Sequence, residues 1–264
     1  MGRETEAGDL RHAGRPGAEV KAERRRQKPR WNGAEEFKAK GFQVLFDVIP
    51  LRECDALATE LSNIFENQQT SVKNKIGGVR NLLRTSPRVA EIASSEKLTG
   101  ILEQMVGRAV FPVRAIFFDK TAEANWRVPW HQDLTIAVVE RVETAGFNAW
   151  SMKDAIVHMQ PPRKILDAMA TIRLHLDDCD ADKGALKVIP GSHLHGKLGR
   201  TEIAGRTQTK TAVVCEIPRG GALLTRPLLL HSSSPARSPS HRRVLHIEYA
   251  ANELPNGLNW FDRR

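Results

Sequence analysis

The chain has 264 residues, 41% of them hydrophobic, which is enough for one large domain with a real core. No apolar run approaches eighteen residues, so nothing in the sequence is expected to span a membrane. The formal net charge of +9 points to acidic partners: nucleic acid, an anionic cosubstrate or a phosphorylated substrate.

Part of that excess charge lies in the first thirty residues, around "ERRRQKPR". Residues 1–33 mix Gly, Glu, Arg and Lys with almost no large apolar side chains, and are read as a disordered basic tail. The tail is taken as solvated, not as a nucleic-acid arm, and it lacks the apolar core of a secretory leader. Three widely spaced cysteines, Cys54, Cys179 and Cys215, without a CxxC pattern read as reduced thiols, so the expected location is cytoplasmic.

Ordered structure is expected from about residue 34 as one domain, mostly helical over 34–107 and mostly β over 108–252. "GFQVLFDVI" reads as a strand ended by Pro50. "LRECDALATELSNIFENQ" then sets Leu57, Leu61, Ile64 and Phe65 near helical spacing. "SPRVAEIASSEKLTGILEQMVG" reads as one helix or two, with Ser86 as cap, Pro87 in the first turn and Gly107 at the end.

After Gly107 the runs become short and rich in Val, Ile and Leu. They are "AVFPVRAIFF", "TIAVV", "MATIRLHL", "ALKVI", "AVVCEI", "GALLTRPLLLH" and "RRVLHIEYA", separated by Gly, Pro and Asp clusters. Such a series suggests a β-sandwich or a jelly roll, backed by the N-terminal helices. Residues 140–165 read as a lid-like insert.

The stretch "NWRVPWHQDLTIAV" holds His131 and Asp133 two residues apart, a spacing that puts both on one face of a strand. Alone the pattern is weak, because nine histidines supply about half a chance match in a chain of this size. A second match does occur, at His175 and Asp177. Company strengthens the first: His231 follows at the end of "RPLLLH", and Arg242 comes eleven residues later. Two imidazoles and one carboxylate leave three positions open, the facial arrangement of non-haem Fe(II) oxygenases. Those positions suit a 2-oxo acid and O2, and an arginine fork suits the acid's far carboxylate.

These pieces resemble the phytanoyl-CoA dioxygenase family of Fe(II)/2-oxoglutarate oxygenases. "WHQDLT" carries the HxD, "GALKVIPGSHLHG" matches the hairpin after the metal strand, and "RPLLLHSSSPA" with "HRRVLHIEYA" supplies the distal His and Arg. "GFQVLFDVIPLRECDALATEL" resembles the family's opening helix, and the likeness runs over about residues 34–252. The resemblance implies a double-stranded β-helix, a cupin-like jelly roll, whose inner face holds iron through His131, Asp133 and His231. It also implies 2-oxoglutarate consumed with O2 to give succinate and CO2 while a substrate carbon is hydroxylated. A carboxylate at Asp133, where related halogenases have a small residue, argues for hydroxylation or a related oxidation.

Around that centre, Arg242 is expected to hold the cosubstrate, with its neighbour Arg243 facing the other way. His175 and Arg173 are read as lining the pocket beside the oxo acid, with a hydrogen-bonded strand pair as the alternative. Lys120 is read as touching the 2-oxo acid or an anionic substrate, with a solvated loop lysine as the alternative. His193 and His195 are read as structural or surface residues and Trp126 and Trp130 as wall packing. His246 shares a strand face with Arg242 and is read as a satisfied core histidine, with an inward-pointing side chain as the alternative. Ser232 to Ser234 carry no GxSxG and no hydrolase reading. The expected partner is a small organic substrate, with anionic and carrier-bound compounds both compatible, and neither membrane nor nucleic acid is expected. The competing class is a metal-containing cupin-like binding protein with a basic nucleic-acid-binding arm.

Overall fold

A computed structural model describes residues 33–69, 78–238 and 240–264. The basic tail expected over residues 1–33 lies outside the described residues, apart from Gly33.

Among its described residues the N-terminal section is helical apart from one strand. Helix α1 (Ala34–Lys40) leads into strand β1 (Phe42–Leu45), and α2 (Leu51–Gln69) starts directly after Pro50. The stretch from Ser86 to Gly107 forms two helices, α4 (Pro87–Ala93) and α5 (Glu96–Val106), behind a short α3 (Leu82–Thr85). The break falls at the Ser-Ser pair because Ser95 caps a new helix, its side chain accepting from Leu98 N–H. Ser86 likewise accepts from Val89 N–H at 3.1 Å, with Pro87 in the first turn. Gly107 ends α5 at φ 80°, a left-handed cap that suits glycine.

Eleven further strands follow: β2 (Phe111–Lys120), β3 (Val128–His131), β4 (Ile136–Val138), β5 (Asn148–Lys153), β6 (Ile156–Gln160), β7 (Met169–His175), β8 (Leu186–Val188), β9 (Val213–Cys215), β10 (Ala222–Thr225), β11 (His231–Ser233) and β12 (Arg242–Ala250). Helix α6 (Arg163–Asp167) precedes β7, and α7 (Arg200–Thr209) precedes β9. They form antiparallel sheets in the orders β1-β10-β7-β12-β2, β3-β11-β8-β9 and β4-β6-β5. The first two sheets share a cavity between them, which is the double-stranded β-helix that the family resemblance implied.

Alternation along the five-stranded sheet decides which face meets the helices. Ala170, Ile172 and Leu174 of β7, with Leu245, Ile247 and Tyr249 of β12, pack in one core with Leu57, Leu61, Ile101 and Leu102. The hydroxyl of Tyr249, fully buried in that core, donates to the Ala93 carbonyl at 2.7 Å. The intervening residues, Arg173 and His175 on β7 and Arg242, His246 and Glu248 on β12, belong to the opposite face.

Three expectations change in detail. "GALLTRPLLLH" is two strands, β10 and β11, in different sheets; Pro227, which has no N–H to donate, lies at the crossing. His231 therefore opens a strand. The insert 140–165 contains the β5–β6 hairpin, closed by Asp154 and Ala155 at φ 51° and 60°. "PGSHLHG" leads from β8 into a 3-10 turn over Ser192–His195, not a hairpin. Among the described residues no helix is long and apolar enough to cross a membrane.

Candidate active site

The pairing of β3 with β11 sets His131 directly opposite His231, their ring centroids 4.1 Å apart. Strand β3 ends at His131, so Asp133 lies just past it, its N–H held by the Pro227 carbonyl at 2.9 Å. Gln132 is buried and faces away: its amide donates to the carbonyls of Gly196 and Leu228 and accepts from Leu198 N–H. These three bonds fix the turn that carries the two flanking side chains.

One donor atom from each of His131, Asp133 and His231 lies within 4.8 Å of the others. Nε2 of His131 is 3.6 Å from one Asp133 oxygen, and Nε2 of His231 is 3.7 Å from the other. Both distances exceed a hydrogen bond. Each ring places Nδ1 2.9 Å from the carbonyl two residues earlier, Pro129 or Leu229. A carbonyl only accepts, so Nδ1 carries the proton and Nε2 presents its lone pair to the centre. Burial opposes ionisation of Asp133, but His231 and His131 together hold its carboxyl well below the usual carboxylate range. Burial lowers His231 to about 4, so its imidazole is neutral at neutral pH. Burial also acts against a charged His131, but the Asp133 carboxylate outweighs it and raises that imidazole.

The cavity beside this cluster is about 250 Å³ and is lined by Arg114, Arg173, Arg242, Trp126, His246 and Glu248 as well as the three groups above. Arg242 is 5% exposed; its Nη1 donates to the Gly184 carbonyl, and its Nε has no partner. Across the β12–β2 register stands Lys120, 1% exposed, donating to Ser233 Oγ at 3.0 Å and the Ser234 carbonyl at 2.9 Å. Neither cation has a carboxylate partner among the described residues. Burial, with Arg242 and Arg173 nearby, lowers Lys120 to about 7.

Lys120 is therefore the last residue of a strand, not a solvated loop lysine. Arg243 faces outward, where Nε and Nη2 clasp both Asp177 oxygens at 2.9 and 2.7 Å. Arg173 lines the cavity, donating to Nδ1 of His246 at 2.9 Å. His175 is buried with Nδ1 unpartnered, and burial together with Arg173 and Arg242 keeps it neutral. The second HxD does not form a pair: strand β7 ends at His175, and Asp177 turns to Arg243 instead of sharing the inner face. His193 is buried and bonded to the Lys38 carbonyl, while His195 is exposed.

The sequence reading misses a chain of charged groups along the cavity wall. Arg173 donates to His246, Nε2 of His246 is 3.2 Å from Glu248, and Glu248 pairs with Arg114. The available signal was alternation: Arg114 shares a face of β2 with Lys120, and Glu248 shares one of β12 with Arg242.

The donor set tests which metal fits. Two imidazoles and a carboxylate, with no thiolate, leave open positions and match Fe(II) better than a closed structural zinc site. The unmet Arg242 Nε and the uncountered Lys120 fit the far carboxylate of a dianionic oxo acid. A larger groove of about 660 Å³, between α1, the end of α5 and α6, has no histidine in its lining.

The family model described as phytanoyl-CoA dioxygenase (PhyH) matches residues 37–244. The chain belongs to the phytanoyl-CoA dioxygenase family. Its similarity to the L-proline trans-4-hydroxylase of Streptomyces griseoviridis is 28% identity over 186 residues, covering 61% of this chain and 62% of that protein. The chain thus matches less than two thirds of that relative's length. Among solved structures, AviO1 from Streptomyces viridochromogenes Tue57 aligns with TM-score 0.62 at 22% identity, over 85% of this chain and 96% of AviO1. EctD from S. alaskensis with bound Fe aligns at TM-score 0.65 and 20% identity, over 84% of this chain and 78% of EctD. At these identities the structures establish the fold. In this phytanoyl-CoA dioxygenase family member, the matched region contains His131, Asp133, His231 and Arg242.

Proposed function

We propose that the protein is an Fe(II)- and 2-oxoglutarate-dependent dioxygenase that hydroxylates a carbon of a small organic substrate. One observation carries this reading: two Nε2 lone pairs and an ionised carboxylate converge beside a buried cationic pole that has no carboxylate ion-pair partner among the described residues. His131, Asp133 and His231 would hold the metal, and Arg242 with Lys120 would hold the far carboxylate of the cosubstrate. Arg173 lines the cavity, and His175 shares its face of β7, near enough for the Arg242 charge to act on it.

Bound iron would supply the redox chemistry that splits O2 between the oxo acid and the substrate, giving succinate, CO2 and an alcohol. The protein's own residues perform the positioning. The Nδ1–carbonyl bonds fix both imidazoles, and Gln132 fixes the turn between His131 and Asp133. Trp126, Phe118 and Ile116 exclude water from the cavity wall.

The cavity is smaller than the usual range for drug-sized ligands, about 300–1,000 Å³, which favours a compact substrate over a large scaffold. A small acid of the kind named for the proline hydroxylase fits this volume and the basic wall. Three buried, unpaired cysteines agree with a reducing, cytoplasmic setting. Residues 34–264 are taken as the oxygenase domain. Under argon, Fe(II) with 2-oxoglutarate should give a weak visible charge-transfer band, and a metabolite screen should reveal substrate-dependent succinate release. A protein that binds Fe(II) yet shows neither the band nor any affinity for 2-oxoglutarate would refute the reading.

A further inference from the structure

The register of the five-stranded sheet orders the cavity wall from end to end. Arg242 stands opposite Lys120. Two residues on, Val244 lies between Phe118 and His175; then His246 lies between Ile116 and Arg173. The last rung sets Glu248 between Arg114 and Thr171. At about 3.4 Å per residue, six residues place Arg114 roughly 20 Å along the strand direction from the Lys120 rung.

The opposing sheet locates the metal ligands on this ladder. Lys120 touches Ser233, and His231 is two residues from Ser233 on β11, facing His131. The Asp133 charge reaches Arg173, His246 and Arg114. The candidate metal ligands thus lie between two arginines, Arg242 with no carboxylate partner among the described residues and Arg114 paired with Glu248. The Arg242 end is taken by the cosubstrate in the reading above, whereas the Arg114 end lies beyond its reach.

Arg114 is built to receive something. Its side chain is 15% exposed and lines the cavity. Nη2 is held by Glu248, which His246 and Arg173 brace in turn, so the guanidinium is fixed in place. Its Nε is buried and has no partner. An unmet buried donor on a fixed cation is a cost that a bound anion removes.

We infer that Arg114 is the substrate anchor of this site, binding a carboxylate of the compact organic acid whose carbon is oxidised. This rests on the oxygenase reading, and it adds the substrate class and the residue that selects it. The acid then spans from the Arg114 rung towards the metal ligands, while 2-oxoglutarate approaches from the Arg242 rung.

The test uses the full chain under argon with Fe(II) and 2-oxoglutarate. Short linear and cyclic carboxylic and amino acids are titrated by calorimetry, each beside its primary amide. An acid should bind at least about ten-fold more tightly than its amide, the loss expected when one charge of a buried pair is removed. The double substitution Arg114→Gln with Glu248→Gln removes both charges together and leaves no buried carboxylate unpaired. It should erase the preference for acid over amide, and Arg114→Lys should keep part of it. Equal binding of acid and amide, no binding by any acid in the panel, or a preference that survives the double substitution would each overturn the inference. The affinity for 2-oxoglutarate, measured in the same titrations, separates the two readings. If it is present without an acid preference, only the anchor fails; if wild type lacks it, the oxygenase reading fails.

Discussion

His-x-Asp occurs at 131–133 and again at 175–177, and the two copies have different surroundings. The first lies at the end of β3, where the register supplies His231 as a third group and hydrogen bonds aim both imidazoles inward. The second lies at the end of β7, where His175 faces Val244 across the register and burial, helped by two arginines, keeps it uncharged. Its carboxylate, Asp177, accepts three hydrogen bonds from Arg243: one from the backbone N–H and two from the guanidinium. Only the first copy combines a carboxylate free of an arginine partner with a third candidate ligand across from it.

Substitution at each copy is the strongest way to break this contrast. Asp133→Ala or His131→Ala should abolish Fe(II) binding and 2-oxoglutarate turnover, whereas Asp177→Ala should leave metal binding intact. Metal content after dialysis, measured beside succinate release, checks both, and the contrast fails if the Asp177 variant loses iron.

The adjacent arginines sharpen the same comparison. Arg242→Ala should weaken 2-oxoglutarate binding by about ten-fold or more, because a buried charge-assisted contact is lost. Arg243→Ala should leave that affinity unchanged and lower stability by about 1–3 kcal/mol, since half-buried Asp177 loses its partner. Calorimetry of 2-oxoglutarate binding and urea unfolding separate the two; a reversed pattern would place Arg243 on the inner face.

Lys120 adds a pH dependence to the Arg242 end. Its amine is lowered to about 7 by burial, Arg242 and Arg173, so the unfolded chain holds more protons from pH 7 up to its ordinary 10.5. Stability should rise with pH across that window, and the penalty is complete below pH 7. Lys120→Met should therefore raise the melting temperature at pH 7 more than at pH 10. In wild type, 2-oxoglutarate affinity should fall as pH rises past 7, because binding must then take up a proton, and the methionine variant should lose this slope. A pH-independent affinity in wild type would sink this account.

The smallest effect belongs to Asp177→Asn. Burial opposes its ionisation, but Arg243 wins and holds its carboxyl below the ordinary 3.8. The pair stabilises the fold above that pH and loses its contribution as pH falls through the lower, folded value. The asparagine variant should thus be slightly less stable at pH 7 and lose less on acidification, read from urea midpoints at pH 7 and pH 3. Equal acid sensitivity in both proteins would show that this pair contributes nothing.

Local chemistry in the chain was enough to specify the capped helices at Ser86 and Gly107, the apolar alternation of β7 and β12, and the HxD with its distal His and Arg. Each of these depends on neighbours within a few residues, or on a residue pattern with a definite chemical use. The turn at Asp154 and Ala155 escaped because it lacks the glycine that usually marks a left-handed turn, and α7 carries no buried residue to give it a pattern. Only the tertiary structure decided which HxD meets a third candidate ligand, that Lys120 is buried with no carboxylate partner among the described residues, and that Arg114 and Glu248 end the ladder that Arg242 and Lys120 begin. Those outcomes depend on strand register between segments far apart in sequence. A register slip of one residue turns every side chain to the other face, and no local propensity fixes it.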